Sequence, residues 1–64
     1  MFGWTYIDQN GEESGASHRF DDQRSAEDWM SQSSEGLAEF GISQVVLMDH
    51  QRGNRIYRMG IDSQ

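Results

Sequence analysis

The order of apolar and polar residues predicts five elements along this chain. Four runs combine alternating or consecutive apolar side chains with β-branched and aromatic residues, which is typical of strands. These runs cover residues 3–8, 14–20, 43–49 and 55–61. Residues 21–41 instead place apolar side chains three, four and seven positions apart, which predicts an amphipathic helix. The predicted order is therefore strand, strand, helix, strand, strand.

The predicted helix has a start signal, an apolar stripe and a stop signal. Asp21 or Asp22 can accept a hydrogen bond from a free amide of the first turn, and their negative charge favours the positive end of the helix dipole. Gly41 suits the left-handed position that follows a helix. The apolar stripe comprises Ala26, Trp29, Met30, Leu37 and Phe40. We expect this helix to be scaffold, with the larger of these side chains buried in the core.

The segments on either side of the helix predict two hairpins. Asn10-Gly11 favours a tight type I′ turn, because both residue types tolerate positive φ. The strand at 14–20 is rich in small and polar residues, so we expect it at an edge of the sheet. The strand at 43–49 contains four consecutive apolar residues, Val45 to Met48. A strand that is apolar on both faces is usually central.

These elements predict one small α+β domain spanning residues 1–64. The expected architecture is ββαββ, an antiparallel-rich four-stranded sheet with one helix on one face. A domain of this size buries only about 60% of the surface that its unfolded chain exposes. The chain has no cysteine, which excludes disulfides and thiolate metal sites. Close packing or association with a second copy is therefore expected. Residues 62–64 are expected to form a frayed tail.

One helix can cover only one face of a four-stranded sheet, so the other face is the candidate interaction surface. Alternation places Trp4 with Tyr6, and Val46 with Met48, on shared faces of their strands, and leaves open which faces meet the helix. The large apolar side chains exceed what the helix can cover. They either lie scattered on the surface or form a patch that binds a partner or a second copy. The candidate interaction face comprises Trp4, Tyr6, Val46, Met48, Tyr57 and Arg58.

The net charge of −6 disfavours non-specific binding to nucleic acid, which requires clustered Lys or Arg. A role related to nucleic acid is still the alternative hypothesis, in two forms. Aromatic side chains on the open face can stack bases, but Arg55 and Arg58 lie three positions apart and are expected on opposite faces of their strand. Otherwise, an acidic helix face mimics nucleic acid and inhibits a basic partner. Its members are Asp21, Asp22, Glu27, Asp28, Glu35 and Glu39.

The chain contains no recognisable catalytic, cofactor or metal motif. His18 and His50 are its only histidines, and their spacing matches no zinc site. Asp49 next to His50 resembles a carboxylate that orients a general base, but neighbouring residues of a strand point to opposite faces. We therefore expect no enzyme, no cofactor and no metal ion. The chain has no long apolar run, so we expect no signal peptide and no membrane span. A cytoplasmic location is therefore expected.

Four motifs resemble the recurring pattern of short actinobacterial proteins of uncharacterised function. They read Trp4-Thr5-Tyr6-Ile7-Asp8-Gln9-Asn10-Gly11-Glu12-Glu13, Phe20-Asp21-Asp22-Gln23-Arg24-Ser25-Ala26-Glu27-Asp28-Trp29, Gly41-Ile42-Ser43-Gln44-Val45-Val46-Leu47 and Tyr57-Arg58-Met59. The resemblance covers nearly the whole chain. It supports the predicted fold and implies no activity or site residues.

The sequence therefore favours a small acidic protein-interaction module that docks a protein partner, or a second copy as a homodimer, through its open sheet face. The identity of the partner and the order of the strands do not follow from the sequence.

Overall fold

The computed structural model describes residues 1–61. Its elements are β1 (Phe2–Asp8), β2 (Glu13–Ala16), α1 (Gln23–Glu39), β3 (Ile42–Asp49) and β4 (Asn54–Gly60). The four strands form one sheet in the order β2-β1-β3-β4, and every neighbouring pair is antiparallel. The predicted ββαββ order and α+β class are confirmed. The tail predicted at residues 62–64 lies outside the described residues.

The strand order places the two most apolar strands at the centre. β3 lies between β1 and β4, and β2 lies at an edge, as the sequence predicted for both strands. β2 ends at Ala16, earlier than predicted, because at the next residue a side-chain hydroxyl replaces the backbone carbonyl as the acceptor for β1. The Ser17 hydroxyl accepts a hydrogen bond from the amide of Trp4 at 2.9 Å. Phe20 then pairs with Phe2 as an isolated bridge.

The first hairpin turns without the predicted type I′ geometry. Gly11 has φ of 82°, but no residue other than glycine has positive φ within the described residues. The Asp8 carboxylate instead accepts hydrogen bonds from the amides of Asn10 at 2.9 Å and Glu12 at 3.0 Å. An aspartate that bonds to the backbone two residues ahead stabilises a turn by itself. The left-handed position is therefore needed only at the glycine.

The second hairpin is built in the same way. The Asp49 carboxylate accepts hydrogen bonds from the amides of Gln51 at 3.0 Å and Arg52 at 3.2 Å. Gly53, with φ of 71°, closes the loop by donating its amide to the carbonyl of Asp49 at 2.8 Å. The loop of each hairpin thus follows an aspartate that bonds to the loop amides, and each loop contains a left-handed glycine.

The caps of α1 follow the sequence signals closely. Asp22 is the N-cap, and its carboxylate accepts a hydrogen bond from the Ser25 amide at 2.7 Å. That bond lowers the pKa of Asp22. Gly41 has φ of 84°, the left-handed conformation predicted for it. Phe40 corrects the predicted stripe: it is the C-cap and is 85% exposed, because its backbone has left the helical conformation that would aim it at the sheet.

The core lies between α1 and the face of the sheet that carries Trp4. The Trp4 side chain is 1% exposed, and its indole N–H donates to the carbonyl of Ala26 at 2.9 Å. This bond ties β1 to the first turn of the helix. The buried cluster consists of Trp4, Ala26, Met30, Ile42, Val45 and Leu47.

Candidate functional site

The six residues of the predicted interaction face do not share a face. Trp4 pairs with Leu47 and Tyr6 with Val45, so both aromatic side chains lie on the side of the sheet that α1 covers. Tyr57 pairs with Leu47 from the other side and lies there too. Val46, Met48 and Arg58 lie on the opposite, uncovered face. The structure brings together only these three, because the three aromatic residues are needed to build the core.

This division removes the aromatic residues that base stacking would use. Trp4 is enclosed by the helix, and the Tyr57 ring packs edge-on against it, with ring centroids 6.0 Å apart. Tyr6 packs against the core. Within the described residues, the uncovered face presents no tryptophan or tyrosine. The stacking form of the nucleic-acid hypothesis therefore has no platform on this face.

A β-bulge corrects the predicted placement of the two arginines of β4. Val46 pairs with Arg58 and Met48 with Arg55, although the two arginines lie three positions apart. Ile56 is the extra residue, since the pairing shifts by one position there. A bulge interrupts the alternation of side chains along a strand. Arg55 and Arg58 therefore both lie on the uncovered face.

The uncovered face is less apolar than the sequence suggested. It holds a shallow hollow of about 140 Å³, whose apolar part is formed by Ile7, Val46 and Met48. Val46 is only 5% exposed although no helix covers it. Long polar side chains, including Arg55, line the same hollow. None of the exposed large apolar side chains of residues 1–61 belongs to this hollow.

The exposed apolar surface of the sheet lies at its β4 edge instead. Six of the seven β4 residues are exposed, and only Tyr57 is half-buried. Ile56 and Met59 are both 37% exposed. The Ile61 amide donates to the carbonyl of Ser43 on β3 at 2.9 Å. Because backbone groups of a strand alternate in direction, the amides and carbonyls of Arg58 and Gly60 point away from the sheet.

An apolar groove runs between this edge and the helix. Its volume is about 340 Å³. It exists because α1 packs over the central strands β1 and β3 and leaves the flank beside β4 uncovered. Its apolar lining consists of Trp4, Met30, Tyr57, Met59 and Ile61, and its polar lining of Glu27, Ser31, Ser34 and Gly60. We call these residues the β4 groove.

The Glu27 carboxylate, at the lip of the β4 groove, accepts two hydrogen bonds. The Tyr57 hydroxyl donates to Oε2 of Glu27 at 2.8 Å, and the Gln23 side-chain amide donates to the same oxygen at 3.1 Å. These two bonds lower the pKa of Glu27. Burial, the hydrogen bond and the negative charge of Glu27 together raise the pKa of Tyr57 to about 12. The carboxylate therefore stays ionised at the lip of the groove at neutral pH.

The shifted pKa of Tyr57 predicts a loss of stability in strong base. An unfolded tyrosine loses its proton near pH 10, whereas folded Tyr57 keeps its proton to about pH 12. Below pH 10 both states are protonated, so the stabilisation is complete there and is lost as pH rises through this window. Glu27→Gln is expected to lower the Tyr57 pKa. Tyrosinate absorbance in a Tyr6→Phe background measures it, and an unchanged pKa in Glu27→Gln would contradict the assignment.

Both histidines pack against neighbouring residues of the fold. His18 packs between Phe20 and Trp29, with ring centroids at 4.3 Å and 5.5 Å. The His50 ring lies against Gly3, where a Cβ atom would come within 3.0 Å of its Nε2. The Asp49 carboxylate is bonded to the amides of its own loop. Within residues 1–61, no three His, Asp or Glu side chains are grouped to hold a metal ion.

The chain matches no protein-family model, no curated protein and no solved structure. The resemblance to the actinobacterial pattern therefore stays a prediction. No helix in the described part of the chain combines the length and apolar character needed to cross a membrane.

Proposed function

We propose that the protein is a small, acidic, non-enzymatic interaction module that docks a protein partner along the β4 edge. The observation that carries this proposal is the exposed apolar edge strand with a groove beside it. An edge strand with unpaired backbone groups is a template for pairing with another chain. The other edge strand, β2, is only four residues long and carries no large apolar side chain. A cytoplasmic location stays a prediction.

A homodimer through the uncovered sheet face has weaker support. Three strands of seven or eight residues and one strand of four residues outline roughly 400 Å² per copy at ~4.8 Å spacing, or about 800 Å² for two. Specific interfaces usually bury about 1,200 Å² or more. The apolar side chains of that face are also already covered in part, as the low exposure of Val46 indicates. The β4 edge offers both backbone and apolar contacts and is therefore the preferred surface.

The experiment that tests this function is selection of binders from a random peptide display library on the immobilised protein. Each selected peptide is then measured against two variants of the docking surface. Gly60→Pro removes an outward amide, and Met59→Ser removes apolar surface from the β4 groove. Phe40→Ser is the matched control, since Phe40 is a more exposed apolar residue outside the groove. Circular dichroism checks that each variant is folded.

We expect peptides that lose binding to the two docking-surface variants and keep it with Phe40→Ser. Enrichment of no peptide, or of peptides that bind all variants equally, would overturn docking at β4. A sedimentation series over protein concentration addresses the homodimer. Association that persists in Gly60→Pro and is lost when residues of the uncovered face are changed would favour that face instead.

A further inference from the structure

We infer that the partner segment is an extended strand that adds to β4 and alternates apolar with acidic side chains. This inference rests on the proposed docking function and specifies the chemistry of the occupant. It follows from three features of the same edge: the outward backbone groups, the β4 groove on one side, and two arginines on the other. Each feature constrains a different part of the partner.

The backbone of β4 requires an extended partner. The amides and carbonyls of Arg58 and Gly60 point outward, as the inward bond from Ile61 to Ser43 indicates. An added strand satisfies these groups through main-chain hydrogen bonds, the mode known as β-strand addition. A helix docked on the edge would leave them unpaired, since its own backbone bonds are internal.

The β4 groove requires apolar side chains at alternate positions of that strand. Successive side chains of a strand point to opposite faces of the sheet. Those directed to the helix side enter a groove floored by Met30, Tyr57 and Met59. The Glu27 carboxylate stands at its lip and is ionised at neutral pH. It repels an acidic side chain at these positions, so apolar residues are favoured there.

The uncovered face requires acidic side chains at the intervening positions. Arg55 and Arg58 both lie on this face beside the edge. In residues 1–61 the one ion pair within 4.0 Å joins Arg52 to Asp49, so no carboxylate of these residues is paired with Arg55 or Arg58. Glu13 lines the hollow that Arg55 lines, but outside ion-pairing distance. A strand added to β4 places its outward side chains next to both guanidinium groups, where carboxylates complement them.

The same arginines disfavour a second copy as the occupant. If β4 paired with β4 of another copy, each strand would bring two arginines to the same face of one continuous sheet. Four positive charges would then lie on two adjacent strands, and no carboxylate of the described part of either copy is paired with them. Like charges across a strand pair are destabilising. A partner strand of opposite charge is therefore favoured over self-pairing.

The test uses synthetic peptides and the intact protein. The probe is a peptide of about ten residues that alternates glutamate with valine or leucine, long enough for one full strand. Three controls match it: the same residues with the glutamates in one block, the same alternation with lysine for glutamate, and the probe with N-methyl groups on every second residue. Binding is followed through the backbone amide signals of isotopically labelled protein.

We expect the alternating acidic peptide to bind at least about tenfold more tightly than each control, with protection of the Arg58 and Gly60 amides from solvent exchange. The double variant Arg55→Gln/Arg58→Gln is expected to weaken binding by about three- to tenfold at low salt, as two exposed ion pairs would. Arg19→Gln/Arg24→Gln is its matched control, because it removes two positive charges from exposed positions outside β4. The difference between the two variants is expected to shrink as salt is added.

Three results would overturn the inference. Equal binding of the block and alternating peptides would show that strand alternation is not recognised. Tighter binding of the lysine peptide would show that the acidic helix dominates over the arginines. Protection of the Arg58 and Gly60 amides in peptide-free protein, rising with concentration, would assign the edge to a second copy. If the display selection yields edge-dependent peptides of other patterns, docking at β4 stands and only this partner chemistry fails.

Discussion

Trp4→Ala is expected to unfold this domain. The Trp4 side chain is 1% exposed and is the largest of the fully buried side chains. Truncation of a buried tryptophan to alanine typically costs about 3–5 kcal/mol, including the cavity left behind. A domain of this length has a net stability of only ~3–5 kcal/mol. This one substitution therefore costs about as much free energy as the net stability of the whole domain.

The far-ultraviolet circular dichroism of Trp4→Ala should resemble that of an unfolded chain and show no cooperative thermal transition. Trp29→Ala is the matched control, because Trp29 is only half-buried on the outer part of the helix interface. Trp29→Ala should fold, with a lower midpoint of thermal unfolding than the unchanged protein. Trp4→Phe keeps an aromatic ring but loses the bond to Ala26, and an intermediate loss is expected. A folded Trp4→Ala with a near-native midpoint would contradict the assigned core.

Local signals in the sequence predicted the elements well. The helix begins after Asp22 and is followed by left-handed Gly41, as capping chemistry indicated. β3 is central, and its consecutive apolar residues are buried on both faces: Val45 and Leu47 on the helix side, and Val46 on the uncovered side. These features depend on residues a few positions apart, which is why a single sequence contains them.

The orientation of the strands did not follow from the sequence. Periodicity shows that Trp4 and Tyr6 share a face, but not that this face meets the helix. The bond from the Trp4 indole to Ala26 is a contact between residues 22 positions apart, and no local pattern encodes it. The predicted interaction face therefore combined residues from both sides of the sheet.

The bulge at Ile56 had the largest consequence for the candidate site. Strict alternation placed Arg55 and Arg58 on opposite faces, and one extra residue placed them on the same face. Bulges have weak sequence preferences apart from glycine at certain positions, and the residues around Ile56 give no such signal. The position of β4 at an edge also depends on the pairing of β1 with β3, two strands that the helix separates in the sequence. The candidate docking surface is therefore a product of tertiary structure.

Leu47→Ala and Val46→Ala together test how the two faces of β3 are covered. Both side chains are buried, Leu47 at 0% and Val46 at 5% exposure. Leu47 is enclosed by the packed side chains of α1 and β1, which cannot collapse into a cavity without moving the helix. Its truncation should cost about 2–5 kcal/mol, which leaves the domain marginally stable or unfolded.

Val46 lines the hollow of the uncovered face together with the long side chains of Glu13, Met48 and Arg55, which can move into the space that truncation leaves. The cost of a buried truncation depends on how well the site collapses, so we expect about 1 kcal/mol or less for Val46→Ala. Urea unfolding of both variants measures the difference. Similar losses would show that the uncovered face is packed as rigidly as the core, as a face covered by a second copy would be. A small loss for Val46→Ala, with a large one for Leu47→Ala, would show that the arginine side of the sheet is free to rearrange around a partner strand.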